Sequence, residues 1–275
     1  MKAASPVSGK DYETITFLGL TLHPRSLQQL NMLVEEGIRE HRNWIIANHN
    51  LHSLYLCHRH PRLRDFYSHV RWTHIDGMSL VALGRLYGYA LLREQRVTLI
   101  DWTYPLMELA ASRGWRVFYV GSSKDSAEKG VVRLRKLYPA LQIEVSGGYF
   151  DASYGSAENE ALVERINAYV PDLLMVGMGM PRQEFWTQEN SARLKAHVIL
   201  SSIGAAFNYV AGTVATPPRW AGAAGLEWAF RLADDPFRLF TRYLVEPWYI
   251  LFLLMLDYPR RHWHRLVTVF QQATS

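Results

Sequence analysis

The sequence is poor in cysteine and has no apolar run of the length that spans a membrane. Its 275 residues include one cysteine, Cys57, so an internal disulfide is excluded and a reducing compartment is indicated. The apolar run at residues 248–256 has nine residues, whereas a spanning helix needs about 20. Residues 1–13 are polar and lack the apolar centre of a secretory signal. We therefore expect a protein of the reducing cytoplasm that does not cross the membrane.

Two fingerprints of phosphate-binding proteins are also missing. No Gly-x4-Gly-Lys-Ser/Thr run occurs, which excludes a nucleoside-triphosphatase loop. The turn that begins with Gly177 and Gly179 lacks the third glycine of the dinucleotide fingerprint, because Arg182 stands at that spacing. A nucleotide-binding oxidoreductase remains an alternative interpretation. Such an enzyme requires the third glycine and a later acidic residue, and the sequence offers neither convincingly.

The bulk composition is that of a folded protein with a basic balance. Hydrophobic residues make up 49% of the chain and charged residues 20%, so the chain buries a core and is not disordered. The formal net charge is +5. Nine Trp and 15 Tyr favour sugar stacking or a membrane interface, although aromatic residues also fill ordinary cores. We expect no nucleic-acid partner.

Short apolar strands alternate with helical segments over residues 44–202. Candidate strands lie at residues 44–47, 71–75, 115–120, 142–145, 173–177 and 197–202. This alternation predicts an α/β fold, a Rossmann-like, mainly parallel sheet with helices on both faces. The composition shifts at Thr216, and Asp235-Pro236 is typical of a helix start. We therefore expect an α/β core at residues 1–215 and a C-terminal helical appendage at residues 216–275.

Several candidate strands end in polar residues or glycine. Asn48 and Asn50 follow the first strand of the alternation, and Asp76 follows the next. At the carboxyl edge of a parallel sheet these side chains face the ligand crevice. The alternatives are that the asparagines only shape a turn and that Asp76 caps the following helix.

Glycine turns follow two other strands. Gly121, with two hydroxyl residues after it, precedes one helix, and Gly179 precedes another that begins near Gln183 and Glu184. Such turns suit phosphate groups at helix N-termini, but on their own they are as often structural.

The block Pro-Arg-Gln-Glu-x-Trp at residues 181–186, after an apolar strand and Gly-x-Gly, resembles the hallmark of the WecG/TagA/CpsF family of bacterial glycosyltransferases. Further blocks resemble the family in the right order from about residue 48 to residue 242. The resemblance implies that Asp76 is the catalytic base and that the substrates bind at these positions: Asn48, Asn50, Arg96, Asp101, Gly121, Gly179, Gln183, Glu184, Arg231, Arg238 and Arg242. For Arg96 and Asp101, a surface ion pair is an equal alternative.

The chain departs from the family pattern at four places. Asn48 replaces the usual Thr, Leu99-Ile100 replaces Gly-Ser in what we interpret as a loop, Gly147 replaces an Asp, and Thr216 replaces an Arg. Tyr149 or Phe150, which follow Gly147 and Gly148, are candidates for stacking on a uracil ring, although an aromatic residue after a turn is more often core.

The resemblance implies an inverting glycosyltransferase that moves a sugar from a UDP-sugar to a polyprenyl-diphosphate-linked saccharide in cell-surface polysaccharide biosynthesis. Glucose, N-acetylmannosamine and its uronic acid remain open as the sugar. The sequence has no Asp-x-Asp carboxylate pair, so we expect arginines rather than a metal to stabilise the leaving diphosphate, and we expect no cofactor. A metal at the crowded His49, His52, Cys57, His58 and His60 is disfavoured because the paired spacing of zinc sites is missing.

The C-terminal run of residues 248–256 is followed by Arg260, Arg261 and Arg265. An apolar run with aromatic and basic flanks suits the surface of an anionic membrane. We therefore expect a peripheral protein at the cytoplasmic face of the inner membrane. The alternatives for this helix are that it packs on its own domain or on a second subunit, which would make the protein a homo-oligomer.

Besides the glycosyltransferase and the oxidoreductase, a third functional alternative is a non-catalytic peripheral membrane protein. That function would leave Asp76 unexplained.

Overall fold

The computed structural model describes residues 14–204, 206–214 and 227–273. The strands are β1 (Ile15–Phe17), β2 (Leu20–Leu22), β3 (Trp44–His49), β4 (Trp72–Ile75), β5 (Arg116–Gly121), β6 (Gln142–Ser146), β7 (Leu173–Gly177) and β8 (Val198–Leu200). The helices of the core are α1 (Leu27–Arg39), α2 (Leu51–Arg59), α3 (Pro61–His69), α4 (Met78–Leu86), α5 (Leu99–Arg113), α6 (Lys124–Leu137), α7 (Ala157–Tyr169), α8 (Arg182–Asn190) and α9 (Ala206–Ala211). Short 3₁₀ turns lie at Arg93–Gln95 and Ser191–Arg193.

Strands β3 to β8 form one parallel sheet of six strands in the order β4-β3-β8-β7-β5-β6. The predicted Rossmann-like α/β fold is therefore confirmed. Before this sheet, β1 and β2 form a small antiparallel hairpin. All five residues of β7 are buried, as its continuous apolar sequence predicted for a strand covered on both faces.

Alternate residues of the central strands enter two separate apolar clusters. Phe118 and Leu174 belong to one cluster, whereas Val117 and Leu173 belong to the other. Because successive side chains of a strand point to opposite faces, the two clusters lie on opposite faces of the sheet. Helices cover both clusters, so the sheet has helices on both faces, as predicted.

The carboxyl ends of β5 and β7 approach each other at glycines. A Cβ at Gly121 would collide with the carbonyl oxygen of Gly177, and a Cβ at Gly177 would lie 2.5 Å from the carbonyl oxygen of Gly204. Gly121, which the sequence predicted as a binding residue, therefore has a packing reason to be glycine. A ligand contact at this position stays a prediction.

The C-terminal region is helical, as predicted. Its elements are α10 (Glu227–Asp234), α11 (Pro236–Phe240), a π-helical turn at Thr241–Val245 and α12 (Glu246–Ala273). The predicted boundary at residues 215 and 216 and the departure at Thr216 lie outside the described residues. Of the helices in the described residues, none has the length and hydropathy to cross a bilayer.

Candidate active site

The carboxyl edge of the sheet brings most of the predicted site residues together. Strands β3 and β4 are neighbours, so the turns after them place Asn50 and Asp76 side by side. Strands β7 and β8 are also neighbours, and the turns after them meet at Gln183. This edge is where open α/β sheets bind ligands.

Asp76 is half-buried at this edge, and two contacts with the β3 end hold it there. Its backbone N–H donates to the carbonyl oxygen of His49 at 2.8 Å. Its carboxylate oxygen Oδ2 accepts from Nδ2 of Asn50 at 3.3 Å. The N-cap position of α4 belongs to Gly77, which has a φ of 105°, so the structure does not place Asp76 in the capping role that was the alternative.

Both ends of the Asn50 amide bind protein groups. Its Oδ1 accepts from the backbone N–H of Ser53 at 3.0 Å and caps helix α2, while its Nδ2 donates to Asp76. The hydroxyl of Ser53 completes a capping box by accepting from the Asn50 N–H at 2.9 Å. This geometry favours a role of Asn50 in orienting Asp76 over a role in holding a sugar hydroxyl.

Below this pair lies a buried polar layer. Asn48 is 1% exposed and donates from Nδ2 to the carbonyl oxygen of Ser202 at 2.9 Å. The Tyr67 hydroxyl donates to the carbonyl oxygen of Asn48 at 2.9 Å, and its ring lies against the His49 ring with centroids 3.9 Å apart. Asn48 therefore ties β3 to the turn after β8, and it lies under the site rather than on its surface.

Two histidines near Asp76 are neutral at physiological pH. Burial lowers the pKa of His49 to about 3 and the pKa of His74 to about 4. For His74, the negative charge of Asp76 opposes this shift and is the smaller effect. Neither imidazole therefore contributes positive charge to this edge of the sheet.

Gln183 joins the turns after β7 and β8. It is fully buried, and its Oε1 accepts from the backbone N–H of Gly179 at 3.1 Å and from that of Gly204 at 3.2 Å. Gly179 has a φ of 86° with open space where a Cβ would lie. The turn is therefore held by Gln183 from below and open at Gly179 above, which is the side that a ligand can reach.

Glu184 is a fully buried carboxyl group beside Gln183. Its Oε1 accepts from the Ser202 hydroxyl at 2.6 Å and from Nε2 of Gln183 at 2.8 Å. Burial raises the pKa of Glu184 above its ordinary value, against the opposing effect of these two hydrogen bonds. Its substrate contact stays a prediction, and its observed contacts are those of a residue that supports the turns.

Arg96 lies next to Asp76 at the sheet edge. It forms a parallel bridge with Ile75, the residue before Asp76, and its guanidinium donates to Oδ2 of Asp101 at 3.0 Å. Asp101 also accepts from the Thr98 hydroxyl at 2.8 Å. The ion pair that was one alternative is thus present.

The interpretation of Leu99 and Ile100 as a loop is wrong, because Thr98 caps α5 and both residues lie in its first turn.

The three C-terminal arginines are less completely placed. Arg242 lies in the π-helical turn just before α12, with its guanidinium carbon 5.8 Å from the centroid of the Tyr243 ring. The side chains of Arg231 and Arg238 lie outside the described residues. Their binding roles stay predictions.

Sequence reasoning missed Ser202, Tyr67 and Ser53 as parts of the site. Ser202 carried a signal, because it follows the end of β8 by two residues, at the same edge as Asn50 and Asp76. Tyr67 lies inside α3, and nothing local in the sequence indicates that its hydroxyl reaches β3. In the described residues, no cluster of three or more His, Cys, Asp or Glu side chains has the arrangement of a metal site.

Comparison with known proteins gives one family and related enzymes. Residues 15–267 match the family described as "Glycosyl transferase WecG/TagA/CpsF family". The chain is 28% identical over 196 residues to an N-acetylglucosaminyldiphosphoundecaprenol N-acetyl-beta-D-mannosaminyltransferase of Bacillus spizizenii, covering 71% of this chain and 73% of that one. It is 30% identical over 180 residues to a protein of the same name from Bacillus subtilis, covering 65% of this chain and 66% of that one.

The raised pKa of Glu184 predicts a pH-dependent stability difference. Between the ordinary carboxyl pKa of 4.5 and the raised value, the folded state holds a proton that the unfolded state has lost. Stability therefore falls as pH rises through this window, by up to about 1.4 kcal/mol per pH unit. Glu184→Gln carries no charge and avoids this loss, so we expect its free energy of unfolding to gain on that of the wild type as pH rises.

Urea unfolding from pH 5 to pH 8 measures this difference. Glu128→Gln, at an exposed carboxyl group of α6, is the matched control and should show no such trend. A Glu184→Gln curve that runs parallel to the wild-type curve would show that Glu184 is ionised in the folded protein.

Proposed function

Because the chain belongs to the WecG/TagA/CpsF family of glycosyl transferases, we propose that it transfers a sugar from a UDP-sugar to a saccharide linked to a polyprenyl diphosphate. The two Bacillus relatives carry names for N-acetylmannosamine transfer to N-acetylglucosaminyldiphosphoundecaprenol. N-acetylmannosamine is therefore the first donor sugar to test, with its uronic acid and glucose as the other candidates. The product belongs to cell-surface polysaccharide biosynthesis.

The observation that carries the mechanism is the Asn50–Asp76 hydrogen bond at the carboxyl edge of the sheet. Asp76 is half-buried, so its carboxylate is reachable from the crevice. In our proposal it takes the proton of an acceptor hydroxyl as that oxygen attacks the anomeric carbon of the donor. The bond from the anomeric carbon to the diphosphate oxygen breaks in the same step, UDP leaves with the electron pair, and the anomeric configuration is inverted.

The departing diphosphate needs positive charge. Arg96 lies beside Asp76, and Arg242 precedes the helix that reaches α2, so these two arginines are the described candidates, with Arg231 and Arg238 as further ones. Preorganised guanidinium groups stabilise developing negative charge without a metal.

We therefore propose a metal-independent reaction and expect activity to survive excess EDTA. A requirement for magnesium or manganese would contradict this part of the proposal.

The nucleotide base has one exposed aromatic candidate. Tyr149 follows β6 at the same sheet edge and is 83% exposed. Phe150, by contrast, packs against the apolar core and lies under the Arg182 guanidinium, with its ring centroid 5.3 Å from the guanidinium carbon. Of the two aromatic residues that follow Gly148, Tyr149 is the one with a free face for stacking on uracil.

Asp76→Asn should lose about two to four orders of magnitude in turnover while UDP-sugar binding barely changes. The asparagine preserves the shape and can still accept from Asn50 through its own Oδ1, but it cannot take a proton. Single-turnover assays with a short-chain lipid acceptor give the rate, and calorimetry gives the binding.

The matched control is Asp125→Asn, which changes a carboxylate on the surface of α6 that pairs with Lys129. It should leave turnover unchanged. Normal turnover in Asp76→Asn would contradict the assignment of the base.

We also propose that the C-terminal helices dock on the cytoplasmic face of the membrane, where the lipid-linked acceptor lies. Phe237, Phe240, Leu244, Trp248 and Phe252 follow one another at steps of three or four residues, and all are exposed. Such spacing places them along one side of a helix. A stripe of this length, including a Phe237 that is 97% exposed, is unusual on a protein that meets only water.

Replacing two of these aromatic residues should release the protein from vesicles. Phe237→Ser with Trp248→Ser removes large apolar side chains that the protein itself does not bury, so the fold should be unaffected. We expect binding to anionic vesicles in sedimentation assays to weaken by at least about tenfold. The control is Val132→Ser with Leu137→Ser, which changes two exposed apolar residues of α6.

A second outcome would identify a different role for the stripe. If the stripe is the interface between two copies of the chain, the same double variant changes the oligomeric state in sedimentation velocity and leaves vesicle binding intact. That result would contradict membrane docking through this surface.

A further inference from the structure

Helix α12 is fixed to the core by two polar contacts. Near its start, Nδ1 of His52 lies 2.9 Å and 2.8 Å from the two carboxylate oxygens of Glu246. Further along, the Tyr87 hydroxyl donates to Oδ2 of Asp257 at 2.7 Å. Glu246 and Asp257 are eleven positions apart in the helix, which corresponds to roughly 16 Å along its axis.

Between the two contacts, one face of α12 packs on the core. Ile250 is buried, and Tyr249, Leu253 and Leu254 pack against the same apolar cluster. The ring of Tyr249 meets the ring of Tyr55 in α2 at a centroid distance of 5.3 Å. The exposed stripe lies on the other side, so α12 connects the surface proposed for the membrane with α2.

The His52–Glu246 contact involves a buried carboxylate. Glu246 is 3% exposed, and a carboxylate at such burial is costly unless a partner is hydrogen-bonded to it. The contact therefore holds the start of α12 in one place on α2. Loss of His52 leaves the Glu246 carboxyl group buried without this hydrogen bond.

His52 lies in the first turn of α2, which also carries the site. It follows Asn50 by two residues, and Asn50 caps this turn through Ser53 and donates to Asp76. Three contacts thus lead from α12 to the base: Glu246 to His52, the capping box of α2, and Asn50 to Asp76. The Tyr87–Asp257 contact meets α4 at the end far from Asp76 and involves neither the capping box of α2 nor Asn50.

We propose that His52 and Glu246 are positioning residues of the transferase, which couple the seating of helix α12 to the orientation of Asp76 through Asn50. The inference rests on the proposed function, in which Asp76 is the base. It assigns the tail a role at the reacting atoms in addition to any membrane attachment. A shift of the first turn of α2 by a fraction of an ångström changes the angle at which Asp76 meets the acceptor hydroxyl.

Four variants and one control test the coupling by kinetics. His52→Ala and Glu246→Ala should each lower kcat by about tenfold or more with little change in the donor KM. The double variant should be no worse than either single variant, because both remove the same contact. Glu246→Gln should retain most activity, since its amide oxygen still accepts from Nδ1 of His52. Tyr87→Phe loosens the same helix at its other contact and should leave kcat within about twofold.

Amide hydrogen exchange provides a readout that does not depend on activity. The Ser53 N–H is bound by Asn50, so peptides covering residues 50–54 should exchange faster in His52→Ala and Glu246→Ala and at the wild-type rate in Tyr87→Phe. Unchanged kcat and unchanged exchange in His52→Ala would overturn the inference. An equal loss of kcat in Tyr87→Phe would also overturn it, because the effect would then be general loosening of α12.

Failure of the proposed function has a different signature. A wild-type protein that is inactive on every UDP-sugar would overturn the transferase assignment, and with it the role of the contact in catalysis. The exchange data would then still decide whether the His52–Glu246 contact orders the first turn of α2.

Discussion

The polar groups between the carboxyl ends of the strands cannot reach water, and this constraint governs the site. Asn48, Gln183 and Glu184 are buried to 1% exposure or less, so each has to find partners in the protein. Neighbouring turns supply them: Asn48 donates to the turn after β8, and Gln183 binds the turns after both β7 and β8. Oδ1 of Asn48 and Oε2 of Glu184 are buried without a partner among the described residues. The hydrogen bonds lock the turns to one another, and the half-buried Asp76 and the open face of Gly179 are held above a layer that has little freedom to move.

The parts of the fold that follow from local burial were predictable from the sequence. The apolar strands stood out because both of their faces are covered, and Asp76 was expected beside the loop after β3 because neighbouring parallel strands end at one edge. Thr98 and Asp101 carried the signal of a capped helix start at α5. The interpretation of Leu99 and Ile100 as a loop obscured that signal. Local sequence does not tell which way a side chain at a strand end or in the first turn of a helix points. The structure shows the amides of Asn48 and Gln183 bound to backbone groups of neighbouring turns, and their contact with substrate stays a prediction.

Contacts between distant segments were beyond sequence reasoning. His52 and Glu246 are 194 residues apart, and neither carries a pattern that identifies the other. The apolar run in α12 was correctly predicted to be too short to cross a bilayer. Its division into a face that packs on α2 and a face that stays exposed depends on the position of the core. The alternative of packing on its own domain holds for one face of the helix, and the expected contact of the exposed face with a membrane stays a prediction.

The glycine contacts at the strand ends limit how the specificity of this protein can change. Gly121, Gly177 and the backbone at Gly204 are so close that a side chain at either of the first two positions would displace a neighbouring strand. Under the proposed function, variation that alters the sugar or the base is therefore expected elsewhere around the crevice. The loop after β6 carries the exposed Tyr149, and a mutational library aimed at donor choice would be built there.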